Sequence, residues 1–174
     1  MHMEFMKIAR ARYSVRKYQS RPVEPEKLNQ VLEAARVAPT AANLQPVRLI
    51  VVQRPEGLGK VAKAANVHGA PVVVIVYADH DRAWTRPFDG KQMTDVDASI
   101  LTTHMVLEAT ELGLGSLWVA YFKPDVIRRE FNLPQQVEPV ALLALGYADC
   151  EPADPERHAE ARIPMDELAH FETY

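Results

Sequence analysis

The stretch from Thr94 to Leu112 constrains this chain more than any other. Val96, Ala98, Ile100, Leu101, Met105, Val106, Leu107 and Ala109 fall on nearly every side of the helix that their spacing predicts. A helix with one apolar stripe can lie on a surface, whereas a helix apolar all round has to be enclosed. The expectation is therefore a central, buried helix with other layers built around it. Thr94-Asp95-Val96-Asp97 has the form of a capping box that opens this helix, and Gly113 stops it.

The rest of the chain supplies material for those layers. Leu49 to Gln53 and Pro71 to Ala78 are β-branched apolar runs that read as buried strands, and Gly115 to Phe122 and Val137 to Tyr147 read as two more. Helices are expected over Met3 to Arg12, Val23 to Val37, Glu56 to Asn66 and Pro124 to Phe131. The second is the clearest: Pro25 suits a first turn, Leu28, Val31, Leu32 and Ala35 follow helical spacing, and Ala38-Pro39 ends it. Strands alternate loosely with helices, so the class is α/β or α+β. With 174 residues, 48% of them hydrophobic, the chain suits one domain with a real core. Residues 149–174 are acidic and proline-rich, too polar for core, and are best explained as an arm that packs on something, a second subunit being the natural candidate.

Charge and cysteine content narrow the function classes. The net charge of −3 and a pI near 6.1 do not suggest nucleic acid or an anionic membrane as a bulk partner. Met1 to Arg21 nevertheless holds six Lys/Arg against one Glu, while Asp149 to Tyr174 holds eight Asp/Glu against two Arg. A basic segment in an acidic protein suggests a local anion site, or charges that are simply solvated. Cys150 is the one cysteine, which excludes an internal disulfide and any Cys₂ or Cys₄ metal site and favours a reducing cytoplasm. There is no long apolar run of membrane-spanning length. The opening Met1-His2-Met3-Glu4 lacks the build of a signal peptide, and His2 is compatible with a cloning remnant.

Three segments could carry chemistry. In Arg12-Tyr13-Ser14-Val15-Arg16-Lys17-Tyr18, an extended backbone would project Arg12, Ser14 and Arg16 to one side. Two guanidinium forks flanking a hydroxyl suit a phosphate, although on spacing alone a basic surface strand is an equal reading. Ala38-Pro39-Thr40-Ala41-Ala42-Asn43-Leu44-Gln45-Pro46 joins a strong helix to a strong strand with few charges. Its small residues would let a flat ligand approach, but taken alone an ordinary connection is the better reading. Gly113 to Phe122 has two glycines, yet the strand follows them, so a Rossmann dinucleotide site is disfavoured. His104 and Glu108 at helical spacing lack further metal ligands nearby, Ser14, Ser99 and Ser116 are in no nucleophile elbow, and Asp79-His80-Asp81 reads as a loop.

In this order and spacing the segments resemble the nitroreductase family of flavoproteins. The likeness runs from about Phe5 to Phe171 and rests on four motifs in register. They are the Arg-x-Ser-x-Arg-Lys-Tyr start, the Ala-Pro-Thr-x-x-Asn-x-Gln-Pro turn, the apolar helix running into Gly-Leu-Gly-Ser-x-Trp-Val, and Arg162-Ile163-Pro164-Met165-Asp166-Glu167-Leu168 near the end. The resemblance implies an α+β fold, a three-layer α-β-α sandwich around a mostly antiparallel sheet, in an interlocked homodimer whose C-terminal arms embrace the partner. It implies FMN at the interface. Arg12 and Ser14 then match positions that hold the phosphate and ribityl chain, with Tyr13 between them where relatives are often basic or polar. Arg16 matches a basic residue near the pyrimidine side of the ring, and Arg162 a late basic residue that reaches the phosphate. Pro39, Thr40, Ala41 and Asn43 match the turn that one subunit lends to the other's flavin. Trp118, Val119 and Ala120 match the strand edge beside the ring.

The implied activity is reduction of nitroaromatics, quinones or other electron-poor compounds with NADH or NADPH, the flavin carrying the chemistry and Arg16 acting as electrostatic stabiliser. No protein nucleophile or acid–base pair is required, and no metal. Two alternatives stay open: the same fold with other chemistry, such as reductive dehalogenation or flavin breakdown, and a non-catalytic FMN- or anion-binding module. The segment from Asp79 to Met93, with Trp84 and Phe88, is either a cover for the flavin or a surface loop.

Overall fold

The computed structural model describes residues 4–174, so Met1, His2 and Met3 lie outside the described residues. The elements in chain order are α1 (Phe5–Ala11), α2 (Pro25–Val37), β1 (Val47–Val52), α3 (Pro55–Ala62), β2 (Val72–Asp79), α4 (Thr94–Glu111), β3 (Gly115–Val119), α5 (Pro124–Glu130), β4 (Val137–Gly146), α6 (His158–Ala161) and α7 (Met165–Leu168). The sheet has four strands in the order β1-β2-β4-β3, with every neighbouring pair antiparallel. Both of its faces are covered, which is why the central strands read as continuous apolar runs rather than as an alternation. Val72, Val74 and Val76 pack with Leu28, Val31 and Ala35 of α2 and Ala98, Leu101 and Met105 of α4. Val73 and Ile75 point the other way, onto Val61 of α3 and Ile127 of α5. The result is the α-β-α sandwich that the resemblance implies.

Helix ends follow local chemistry. Val23 and Leu28 bracket the first turn of α2 in the same core, the arrangement of a hydrophobic staple. At the end of α4 the Leu114 N–H donates to the Ala109 carbonyl at 2.8 Å and Gly113 N–H to that of Thr110 at 3.1 Å. This is a Schellman ending, and it requires the left-handed φ of +72° at Gly113.

The start of α4 departs from expectation. No capping box forms: Met93 is the cap residue, without a side-chain bond, so Thr94 already lies inside the helix. Asp97 is 1% exposed and its Oδ1 accepts from the Ala41 N–H at 2.9 Å instead. The enclosure of α4 is also partial. Its sheet-facing side is buried, but Val96 is 43% exposed, and Ile100 and Leu107 are half-buried. Leu107 borders a mainly apolar hollow of about 860 Å³ between α1, α2 and α4, and Val96 and Ile100 lie against a second, more open one. Three other elements are shorter than their apolar runs suggested: β3 stops at Val119, α3 at Ala62 and α5 at Glu130. Past Val119 the chain folds into a tight turn, with Phe122 N–H bonded to the Ala120 carbonyl.

The segment from Asp79 to Met93 is a turn followed by a small hairpin. Thr85 bridges Gln92, and Met93 N–H donates to the Trp84 carbonyl at 3.0 Å. Phe88 projects from it, 92% exposed. Residues 162–174 are exposed throughout, including Ile163, Met165, Leu168 and Phe171.

Candidate functional site

The N-terminal segment docks on the free edge of β3. Val15 N–H donates to the Ser116 carbonyl at 2.9 Å, and Gln19 N–H to that of Tyr147 at 2.9 Å. Val15 is fully buried against Gly115, where a Cβ would come within 2.7 Å of Val15 Cγ2. With Val15 turned inward, Arg12 and Ser14 turn to the other side. There they line a cleft of about 420 Å³ with Phe5, Thr103, Ser116 and Trp118. The Ser116 carbonyl points away from β4, so by strand alternation the Trp118 N–H and C=O face that same open edge. Trp118 is 36% exposed and Ala120 is exposed, whereas the Val119 side chain enters the core beneath α3 and α5.

Charge accumulates at this corner. Arg12 loses proton affinity through burial first, then through the like charges of Arg157 and Arg162. Among the described residues no carboxylate forms an ion pair with Arg12. Tyr13 sits behind the corner, its phenol pushed up by burial and by neighbouring Cys150 and Glu151. Arg16, expected on the same side as Arg12 and Ser14, is instead exposed and outside the cleft lining, toward Tyr18.

The second expected segment is held differently. Ala42, Asn43 and Gln45 have φ of +50°, +54° and +51°, the left-handed region that non-glycine residues avoid. Thr40 ties the turn: its carbonyl accepts from Asn43 N–H at 2.9 Å and its Oγ1 from Gln45 N–H at 3.0 Å. From outside the turn, α4 contributes the Asp97 carboxylate, which accepts from the Ala41 N–H. Pro39 and Asn43 are exposed, while Thr40 and Ala41 are half-buried.

Within one chain the turn and the Arg12 cleft do not meet. Asp97 at the turn and Thr103 in the cleft both belong to α4, separated by about 9 Å of helical rise. The uncovered apolar side of α4 lies along the same helix.

The chain matches the Nitroreductase family over residues 9–67 and 59–147. It belongs to that family. A crystal structure of a nitroreductase family protein from Clostridium difficile 630 is 55% identical, with a TM-score of 0.97, covering 99% of this chain and 100% of that one. An NADH dehydrogenase of Thermus thermophilus is 32% identical, over 90% of each chain. An FMN reductase [NAD(P)H] of Bacillus subtilis is 31% identical, over 92% of this chain and 70% of its own.

Phe5, Thr103 and Ser116 line this nitroreductase-family cleft, and Arg157 acts on it through Arg12, although their residue types and positions did not mark them as ligand contacts. Thr103 is a small polar group within an apolar helix and nothing in its spacing marks it, whereas Ser116 belongs to the Gly-Leu-Gly-Ser-x-Trp-Val motif without being assigned a contact. Arg157 carried a signal: with Arg162 it is one of two arginines in an otherwise acidic tail. His104, weighed as a metal ligand, bonds through Nδ1 to the Ile100 carbonyl at 2.9 Å, and no metal-binding cluster occurs among the described residues. No helix of the described residues is long and apolar enough to cross a membrane.

Proposed function

We propose that this chain is an FMN-dependent NAD(P)H oxidoreductase that reduces electron-poor small molecules and works in the cytoplasm as a homodimer. The observation that carries the reading is the corner at Arg12. A guanidinium whose proton affinity is lowered first by burial and then by Arg157 and Arg162, and which among the described residues has no carboxylate partner, lines one cleft with Ser14 and an open strand edge. Such a cluster fits a phosphate ester better than any neutral group. Arg12 and Ser14 hold the phosphate end with Arg162, and Tyr13 braces the segment from behind. Trp118, Val119 and Ala120 offer the strand edge to the ring, the open Trp118 N–H being the donor directed there. Arg16 supplies positive charge at the pyrimidine side, where negative charge grows on reduction.

Bound FMN would supply two-electron, ping-pong hydride chemistry at its N5 between NADH or NADPH and a nitroaromatic, quinone or similar acceptor. The chain's own part is to bind, orient and exclude water. The partner subunit brings its Pro39, Thr40, Ala41 and Asn43 turn to the ring. The bared apolar side of α4 and the exposed Ile163, Met165, Leu168 and Phe171 of the arm support that assembly. Residues 1–174 form one domain, with 149–174 as the embracing arm.

The test begins with the visible spectrum of purified protein, before and after anaerobic addition of each nicotinamide, together with its mass in solution. Flavin absorbance that bleaches, in a dimer, is expected. Arg12→Ala should weaken FMN binding by about 10- to 100-fold, the worth of a charge-assisted bond. Colourless monomer that does not take up FMN overturns the proposal.

A further inference from the structure

Arg157 stands at the root of the C-terminal segment, yet its side chain belongs to the other end of the molecule. Its Nη2 donates to the Arg12 carbonyl at 2.7 Å, and its Nη1 to the carbonyls of Arg10 at 3.2 Å and Asp154 at 2.7 Å. His158 Nε2 lies 3.2 Å from the same Arg10 oxygen. One guanidinium therefore staples the backbone on which Arg12 is mounted to the start of the arm. Carbonyl oxygens satisfy its donors but leave its charge uncancelled, and a guanidinium offers five N–H groups, more than these contacts use. Among the described residues no carboxylate pairs with Arg157, Arg12 or Arg162. Three cations gathered at a half-buried corner repel one another, and an anion placed among them removes that repulsion.

We propose that Arg157 is a positioning and selectivity residue of the flavin site: it fixes the Arg10–Arg12 backbone so that Arg12 faces the cleft, and its charge makes the cleft prefer a phosphorylated flavin to an unphosphorylated one. The inference rests on the reading of the cleft as an FMN site. It goes further in giving the arm a share in cofactor choice, through a residue that makes its contacts with backbone and not with a ring.

The experiment separates charge from geometry. Apoprotein is titrated with FMN and with riboflavin, following quenching of flavin fluorescence, in the parent and in Arg157→Lys and Arg157→Met, at low and high salt. Lysine keeps the charge but cannot bridge several carbonyls in fixed directions, and methionine keeps only bulk. Arg157→Met should lower the FMN-to-riboflavin affinity ratio by about 3- to 10-fold and flatten the salt dependence of FMN binding. Arg157→Lys should keep most of the ratio while weakening both flavins. Equal weakening of both flavins in Arg157→Met, or no change, overturns the inference by reducing Arg157 to a structural staple or a bystander. Should Arg157→Met fail to fold, Arg157→Lys decides alone, since unchanged affinities there would remove the positioning role. A parent protein that binds both flavins equally, or neither, refutes instead the reading of the cleft itself.

Discussion

Around Arg12 the backbone is extended, bonded to β3 and packed so closely that Val15 occupies the space of a missing Cβ at Gly115. Around Asn43 the backbone is exposed, carries three left-handed non-glycine residues, and takes its outside support at Ala41 from one carboxylate of α4. Both segments are short links between larger elements, and both are proposed to face the same ligand. The first is made rigid by packing, the second by hydrogen bonds that hold a strained shape. A phosphate needs fixed charges at one place, which suits a packed edge. A flat ring needs backbone brought close, and strained turns are where backbone groups become available.

The comparison breaks first at Gly115. Gly115→Ala puts a methyl within 2.7 Å of Val15 Cγ2, and three Val15 side-chain atoms lie within 3.2 Å of it. We expect a loss of about 2–3 kcal/mol from overpacking, or about 4–12 °C in Tm for a chain of this size, with FMN affinity falling alongside. Val15→Ala in the same background should restore most of both. If Gly115→Ala melts like the parent, the corner is not fixed by packing.

At the turn the effects should divide differently. Asp97→Ala leaves the Ala41 N–H without its acceptor, at a cost of about 1–2 kcal/mol, eased because an unpartnered buried oxygen, Asp97 Oδ2, disappears with it. Because the turn lies outside the core, thermal stability should fall less than flavin affinity does. Asp97→Asn keeps an acceptor in the same place and should be the milder change. Calorimetric melting paired with flavin titration reads both quantities. A Tm loss as large as that of Gly115→Ala would show that the turn is as much part of the packed core as the corner is.

How far each region could be read from the sequence follows from the same contrast. The sheet and its two helical layers were legible because Val72 to Val76 is a β-branched run and α2 has an apolar face at helical spacing. Gly113 announced the end of α4, since an αL position there admits little else. The start of α4 misled, because Thr94 to Asp97 satisfies a local capping pattern while Asp97 answers a tertiary demand from Ala41, a residue distant in the chain. The completeness of α4's apolar surface was read correctly, but one chain encloses only part of it. A residue that bonds backbone carbonyls, as Arg157 does, leaves no pattern, for any carbonyl can accept. Arg12 and Ser14 line one cleft together with Trp118, but Arg16, which strand alternation was expected to put on the same side, lies outside it, because the spacing rule holds only where the backbone is regularly extended and this segment makes only isolated bridges.

The smallest test concerns the strain itself. Ala42 and Asn43 have nearly equal φ, +50° and +54°, yet asparagine tolerates that region better than alanine does. Ala42→Gly relieves the steric cost and adds unfolded-state entropy, and the first should exceed the second, for a net gain of about 0.5–1 kcal/mol. Asn43→Gly should gain less, or lose slightly, since there is less strain to relieve. Equal gains at the two positions would mean that the side chains contribute nothing to holding the turn. A loss at Ala42 would mean that its left-handed backbone is not a source of strain, and the contrast between the turn and the packed corner would then rest on Asp97 alone. If the turn's shape matters to the flavin more than its energy does, Ala42→Gly should also raise Tm while weakening FMN binding, because the freed backbone must be ordered again each time the ligand arrives.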